Sequence, residues 1–302
     1  MSADRPQRAE RLAALALLFN AFTWGLSWWP MRELASRGLH PLWVTALVFL
    51  AASVLLVATR RGALTELLRT PVLWVLVLAA GTTNAAFNWA VTIGDVVRVV
   101  LLFYLMPLWA VLLARLLLGE PLTRHALLRV ALALAGAAIV LWPAGRSGWD
   151  ALPLPRSLPD WLAVLGGFSF ALNNVMLRRE AHRPEEARAL AMFSGGVGVA
   201  GVLALALSAG GAIGGLPAPA TGWLLGVAAM AVVFLVGNLA LQYGAARLPA
   251  NVTSVVMLTE ILFASLSALA LGGGHLDAQL LAGGGLILLA ALLSTLQRAD
   301  AH

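Results

Sequence analysis

The chain contains no cysteine and no lysine. Without a thiol it can form no disulfide, thiolate metal site or cysteine nucleophile. Charge is also scarce. Only 11% of its 302 residues are charged, against roughly a quarter in soluble domains. The five histidines (His40, His125, His182, His275 and His302) lie near the ends of apolar stretches or at the C-terminus. No two share a helical face, so neither a metal nor a cofactor is expected. What the chain does have is apolar surface, with 61% hydrophobic residues and a mean hydropathy of +0.88. One water-soluble core of this length could not cover so much. A bilayer can, because lipid solvates the outer faces.

Ten apolar segments can be counted, at 11–29, 38–59, 71–93, 97–118, 124–143, 159–178, 187–208, 221–243, 250–272 and 278–297. Each approaches the ~20 residues that a spanning helix needs. Pro30, Pro41, Pro71 and Gly94-Asp95 punctuate them, as do a Pro-rich linker at 143–160 and an uncharged one at 209–222. The expectation is an all-α membrane protein of ten transmembrane helices, in two five-helix units at 1–150 and 151–302. A signal peptide competes for the first segment, because Arg5, Arg8 and Arg11 precede an apolar run. That run continues through Trp24, Trp28 and Trp29 without a small-residue cleavage site, so a retained helix is expected.

All 20 basic residues are arginine. A pI of 11.3 would suit nucleic acid, but the arginines sit between apolar stretches, and no nucleic-acid partner is expected. With the N-terminus inside, 15 arginines fall on the inner side. The outer 5 are Arg32, Arg37, Arg98, Arg146 and Arg156. That bias puts both termini in the cytoplasm. Trp43, Trp74, Trp142, Trp161 and Trp223 lie near segment ends and read as an interfacial belt.

The halves repeat. A shift of 154 places Asn84 on Asn238, Asn88 on Gln242, Trp89 on Tyr243, Ala110 on Ala264 and Gly119 on Gly273. A shift of 146 places Trp24 on Phe170, Trp28 on Asn174 and Arg32 on Arg178. Five crossings per half make the second copy enter from the opposite side, which is a transporter architecture.

Intramembrane polar residues face the protein interior, because lipid penalises them. Asn20, Trp24 and Trp28 share one helical face, as do Asn84 and Asn88. The sixth segment brings Phe170, Asn173 and Asn174, the eighth Asn238, Gln242 and Tyr243, and the fourth Tyr104 and Pro107. Amides and rings together suit a zwitterion with a flat side group, although the same amides could simply hold helices together. Trp24 and Trp28 could equally be packing residues. Glu260 is the one acid well inside a segment. It could meet a substrate ammonium, carry a coupling proton or brace the fourth and ninth helices. Pro107 removes a backbone hydrogen bond, giving a kink that could act as a hinge. Asp95 and Arg98 read as a helix cap and a surface pair. Gly196-Val-Gly198-Val-Ala-Gly201 spells a dinucleotide fingerprint, but inside an apolar helix it means close packing. An intramembrane enzyme would need a nucleophile with a base, paired acids or a metal set, and the segments hold none. A receptor or assembly subunit would be expected to carry a larger soluble part.

Three stretches resemble a known family. LFYLMPLWAVLLARLLLGEPLT (102–123) has a central Pro107, a leucine run, then Gly119-Glu120 and a short turn. MLTEILFASLSALALGGGHL (257–276) keeps Glu260, with Ile261 where the pattern has Pro and Gly274 in place of its terminal Glu. FNAFTWGLSWWPMRELASRGLHP (19–41) fits the opening helix. On these residues the chain resembles the ten-helix EamA-type branch of the drug/metabolite transporter superfamily. Within that branch it is most similar to bacterial aromatic amino-acid exporters of the YddG type. The resemblance implies a basket in the bacterial cytoplasmic membrane, with helices 1, 3, 4, 6, 8 and 9 around a central cavity and 5 and 10 peripheral. It also implies alternating access, a small-molecule substrate (an amino acid), a lipid surround and a monomer. Export of another metabolite or cationic drug, such as a nucleoside, sugar or lipophilic cation, stays open on the same fold.

Overall fold

The computed structural model describes residues 4–119, 121, 123–142, 154–245, 247, 256–257 and 259–296, and every regular element among them is helical. The first half contains α1 (Asp4–Leu26), α2 (Trp28–Ser36), α3 (Pro41–Thr59), α4 (Arg61–Arg69), α5 (Leu73–Ile93), α6 (Val96–Phe103), α7 (Met106–Leu118) and α8 (Arg124–Val140). The second half contains α9 (Leu158–Arg179), α10 (Glu185–Ala209), α11 (Thr221–Ala245), α12 (Thr259–Ala270) and α13 (Ala278–Leu296). Seven stretches are long and apolar enough to cross a membrane: Arg11–Ser36, Pro41–Thr59, Leu73–Ile93, Val96–Leu118, Leu158–Arg179, Glu185–Ala209 and Thr221–Leu241. Thr259–Ala270 and Ala278–Ala290 are apolar but shorter.

Several boundaries differ from the sequence expectation for local reasons. The first segment does not stop at Trp29. It breaks at Ser27, whose hydroxyl and amide both turn back to the Trp24 carbonyl, and resumes as α2. Pro30 sits in the first turn of α2, where its missing N–H leaves no helical bond unmade. The fourth segment also breaks, at Tyr104-Leu105, so Pro107 lies in the first turn of α7 rather than in mid-helix. α4 is an extra amphipathic helix that buries Ala63 and Leu67. Two of the five belt tryptophans are buried: Trp43 donates to Gly214 O at 3.2 Å and Trp223 to Ala218 O at 3.1 Å. They fasten the linker between α10 and α11. Trp74, Trp142 and Trp161 are exposed as expected.

Small residues let the helices approach, as in lipid-embedded bundles. α5 packs on α9 and α10, α3 on α10, and α1 on α11 and α12. α6 packs on α9 and α12, and α8 on α13. Gly196, from the false dinucleotide signature, lies directly beneath the Phe49 ring.

The two ends of the bundle are tied differently. At the end where α2 finishes, Arg32 donates to the carbonyls of Val91, Thr92 and Gly94, closing the C-terminus of α5. The Val96 amide reaches Gly273 O at 3.1 Å. Asp95 caps α6 through the Arg98 amide, as expected. The Arg98 guanidinium, however, pairs with Asp160 at 2.8 Å, and Asp95 pairs with His275 at 2.7 Å. The expected surface pair is therefore two separate cross-links. At the opposite end Arg183 joins Glu180 to Glu66 of α4. There α7 packs chiefly on α9 and α8 rather than on α12.

Candidate functional site

The predicted residues form three groups. Trp24 of α1 stacks on Phe234 of α11 with ring centroids 4.6 Å apart and planes tilted by 31°. Together with Phe49, Phe193 and Asn238 they line a small pocket between α1, α3, α10 and α11. Its volume of about 20 Å³ holds about one water, so it is closed to any organic substrate in this state. Phe49, Phe193 and Phe234 escaped sequence reasoning, which followed polar atoms. Their signal was a lone ring at mid-depth in an aliphatic helix.

The second group surrounds the break between α6 and α7. Tyr104 donates its hydroxyl to Glu260 of α12 at 3.4 Å. Phe103 packs on Phe87 and Phe170, with centroids 4.7 and 5.5 Å away. Pro107 brings no amide hydrogen, so the Phe103 carbonyl loses its helical donor. Gly167 of α9 lies against that carbonyl and leaves no room for a Cβ. Gly25 of α1 similarly approaches the Glu260 carbonyl.

The third group joins helices. The Asn20 amide donates to Gly237 O at 2.7 Å, and Asn88 donates to the Thr45 hydroxyl at 3.0 Å. Trp28 is buried, donates to Ser267 at 2.9 Å and lies beneath Arg32. Asn84 turns back to Ala80 O of its own helix. Its expected shared face with Asn88 therefore serves two different partners. Among the described residues, the buried side-chain oxygens of Asn20, Asn88 and Asn173 have no hydrogen-bond partner. Asn174 is exposed, and Tyr243 faces outward beneath Arg247 with the guanidinium 3.8 Å from its ring. The side chains of Gln242 and Pro107, like Glu120 of the resemblance, lie outside the described residues. Among the described residues no three His, Asp or Glu side chains gather in a metal-ligating group.

Residues 11–142 match the EamA-like transporter family. No curated protein matches the chain in sequence. Fifteen chains of solved structures match it. One, a crystal structure of a protein, is 20% identical and covers 96% of this chain and 98% of its own, with a TM-score of 0.56. It shares the fold along nearly the whole length. The first part of the chain is thus similar to a transporter family, and seven helical stretches of the chain are long and apolar enough to cross a membrane.

Proposed function

We propose that the chain exports aromatic and other neutral amino acids across the bacterial cytoplasmic membrane, as a monomer with both termini cytoplasmic. Ten spanning helices form two inverted five-helix repeats, at 1–150 and 151–302, that rock about the Trp24 pocket. The observation that carries this reading is the exchange symmetry of the packing. Let the crossings α1/α2, α3, α5, α6/α7 and α8 correspond to α9, α10, α11, α12 and α13. Then α5 on α9 mirrors α11 on α1, α5 on α10 mirrors α11 on α3, and α6/α7 on α9 mirrors α12 on α1. The pairs α3–α10, α6–α12 and α8–α13 map onto themselves. Equivalent helices also end alike, on left-handed Gly119 (φ 70°) and Gly272 (φ 69°).

Substrate class follows from the pocket lining. A planar side group can replace the Trp24–Phe234 contact, gaining roughly 0.5–1.5 kcal/mol per ring pair. Asn238 and the orphan oxygen of Asn20, one turn from Trp24, offer hydrogen bonds to an amino acid's charged ends. The test is efflux from proteoliposomes preloaded with labelled tryptophan, phenylalanine or threonine. Protein-dependent loss of the aromatic pair ahead of threonine, reduced several-fold in Trp24→Ala, is expected. A folded protein that moves none of the three would refute the substrate assignment.

A further inference from the structure

Between α3 and α5 the chain makes an excursion that crosses nothing. α4 has nine residues and a length of about 14 Å, too short to span a bilayer. The chain turns at Arg60 (φ −136°, ψ 67°) to enter it. One face of α4 buries Ala63 and Leu67 in a cluster with Ala187, Leu190 and Ala191 of α10. The next face around the helix exposes Leu64 and Leu68. A helix that sets apolar side chains beside arginines lies in the plane of a membrane interface.

The free charge on this excursion is of one sign. Arg60, Arg61 and Arg69 are exposed and pair with no acid among the described residues. α3 and α10, on which α4 packs, are described along their whole lengths. The one acid of α4, Glu66, is already held by Arg183 at 3.2 Å and by the Thr70 hydroxyl at 3.1 Å. The Arg60 side chain does not cap the first turn of α4, and a helix start attracts anions. A Cβ built at Gly62, in that first turn, meets nothing within 4 Å, so the approach is open. Directly before Arg60, Ser53, Val54, Val57 and Ala58 of α3 line an open groove of about 370 Å³. They form one stripe along that helix. The lining is apolar except for the Ser53 hydroxyl, which has no hydrogen-bond partner among the described residues.

We propose that Arg60, Arg61 and the start of α4 bind the headgroup phosphate of an anionic phospholipid, with one of its acyl chains in the α3 groove. Leu64 and Leu68 then dip among the neighbouring chains. Charge complementarity selects this occupant. A second copy of the chain would bring the same arginines of both molecules into one self-complementary interface, and a zwitterionic lipid offers them no net charge. Each arginine near an anionic surface strengthens attachment about fivefold, and salt screens it. The site requires only that the chain sits in a bilayer, whatever its substrate.

The absence of cysteine allows a single fluorophore at Thr65→Cys on α4 and, in a separate protein, at Leu225→Cys on α11, both exposed positions. The labelled proteins are placed in phosphatidylcholine nanodiscs with increasing fractions of spin-labelled phosphatidylglycerol or spin-labelled phosphatidylcholine as quencher. Phosphatidylglycerol should quench the α4 label at a fraction about tenfold lower than phosphatidylcholine, while the α11 label should not distinguish them. Arg60→Gln should reduce that preference about fivefold, and Arg60→Gln/Arg61→Gln or high salt should remove it. Ala58→Trp, which fills the groove, should weaken it. Arg124→Gln, which removes a charge from the start of α8 at the same end of the bundle, should leave it intact. Equal quenching by the two lipids at α4 overturns the proposal. So does a preference unchanged by Arg60→Gln/Arg61→Gln or by Ala58→Trp, or one lost as fully in Arg124→Gln. A dimer cross-linked through Leu68→Cys in nanodiscs would put a second copy on this face and overturn it too.

Discussion

Gly283 and Gly285 lie two residues apart in α13, and one methyl group should affect them in opposite ways. A Cβ built at Gly283 falls 2.7 Å from Gly136 O of α8 and 2.7 Å from Val140 Cγ2. Ordinary contact begins at 3.4 Å, so the helices must part by about 0.7 Å. The obstacle is backbone, which no rotamer change can clear. Overpacking of this kind costs about 1–3 kcal/mol, offset by the ~1 kcal/mol by which alanine favours a helix over glycine. A Cβ at Gly285 meets nothing within 4 Å, so only the helix gain remains. Gly283→Ala should thus be less stable than Gly285→Ala by about 1–3 kcal/mol. Thermal unfolding of the purified variants in one detergent reads the difference. Equal melting temperatures would refute the close α8–α13 approach.

Other consequences follow from single contacts. Asn20→Ala loses the bond to Gly237 O and should cost about 0.6–1.7 kcal/mol in unfolding, while Gly198→Ala, in open space, should cost nothing. Arg98→Ala strands the Asp160 carboxylate, whose side chain is 5% exposed. Because Arg98 itself is 31% exposed, the loss should be about 2–3 kcal/mol, below that of a fully buried pair, and Arg98→Ala/Asp160→Ala should recover part of it. Burial lowers the pKa of His40, whose neutral Nδ1 caps α3 by accepting from the Leu42 amide at 3.3 Å. The folded state then binds protons less readily than the unfolded state, so stability is complete above about pH 6.5 and falls as pH drops below it. His40→Asn should remove that part of the acid sensitivity, and an unchanged pH slope in the variant would contradict the cap.

The apolar segments were legible because lipid demands long runs, and each helix from α1 to α13, except α4 and most of α2, falls within or across one. α4 was missed because Arg60, Arg61 and Arg69 look like a simple loop, although Ala63 and Leu67 at a spacing of four carried the helical signal. The break at Tyr104 was half legible. Pro107 announced a disruption, but a proline distorts the turn before it, so the interruption came two residues earlier. Polar residues showed which positions face inward but not which partner each would choose. Asn20 and Asn88 took helix contacts, Asn84 its own backbone, and Asn174 an exposed position. Trp43 and Trp223 sit at helix ends as belt residues do, and only the fold shows that the linker between α10 and α11 covers them. The aromatic pocket was illegible because Phe49, Phe193 and Phe234 come from three segments and resemble ordinary membrane-facing rings.

A carrier exposes a single site alternately to the two sides, and counterflow detects that exchange. Proteoliposomes holding saturating unlabelled tryptophan are diluted into a trace of labelled tryptophan at equal pH on both sides. A transient overshoot of label, several-fold above its equilibrium content and diminished in Trp24→Ala, is expected of alternating exposure. Label that rises only to equilibrium, at a rate indifferent to internal tryptophan, would contradict it.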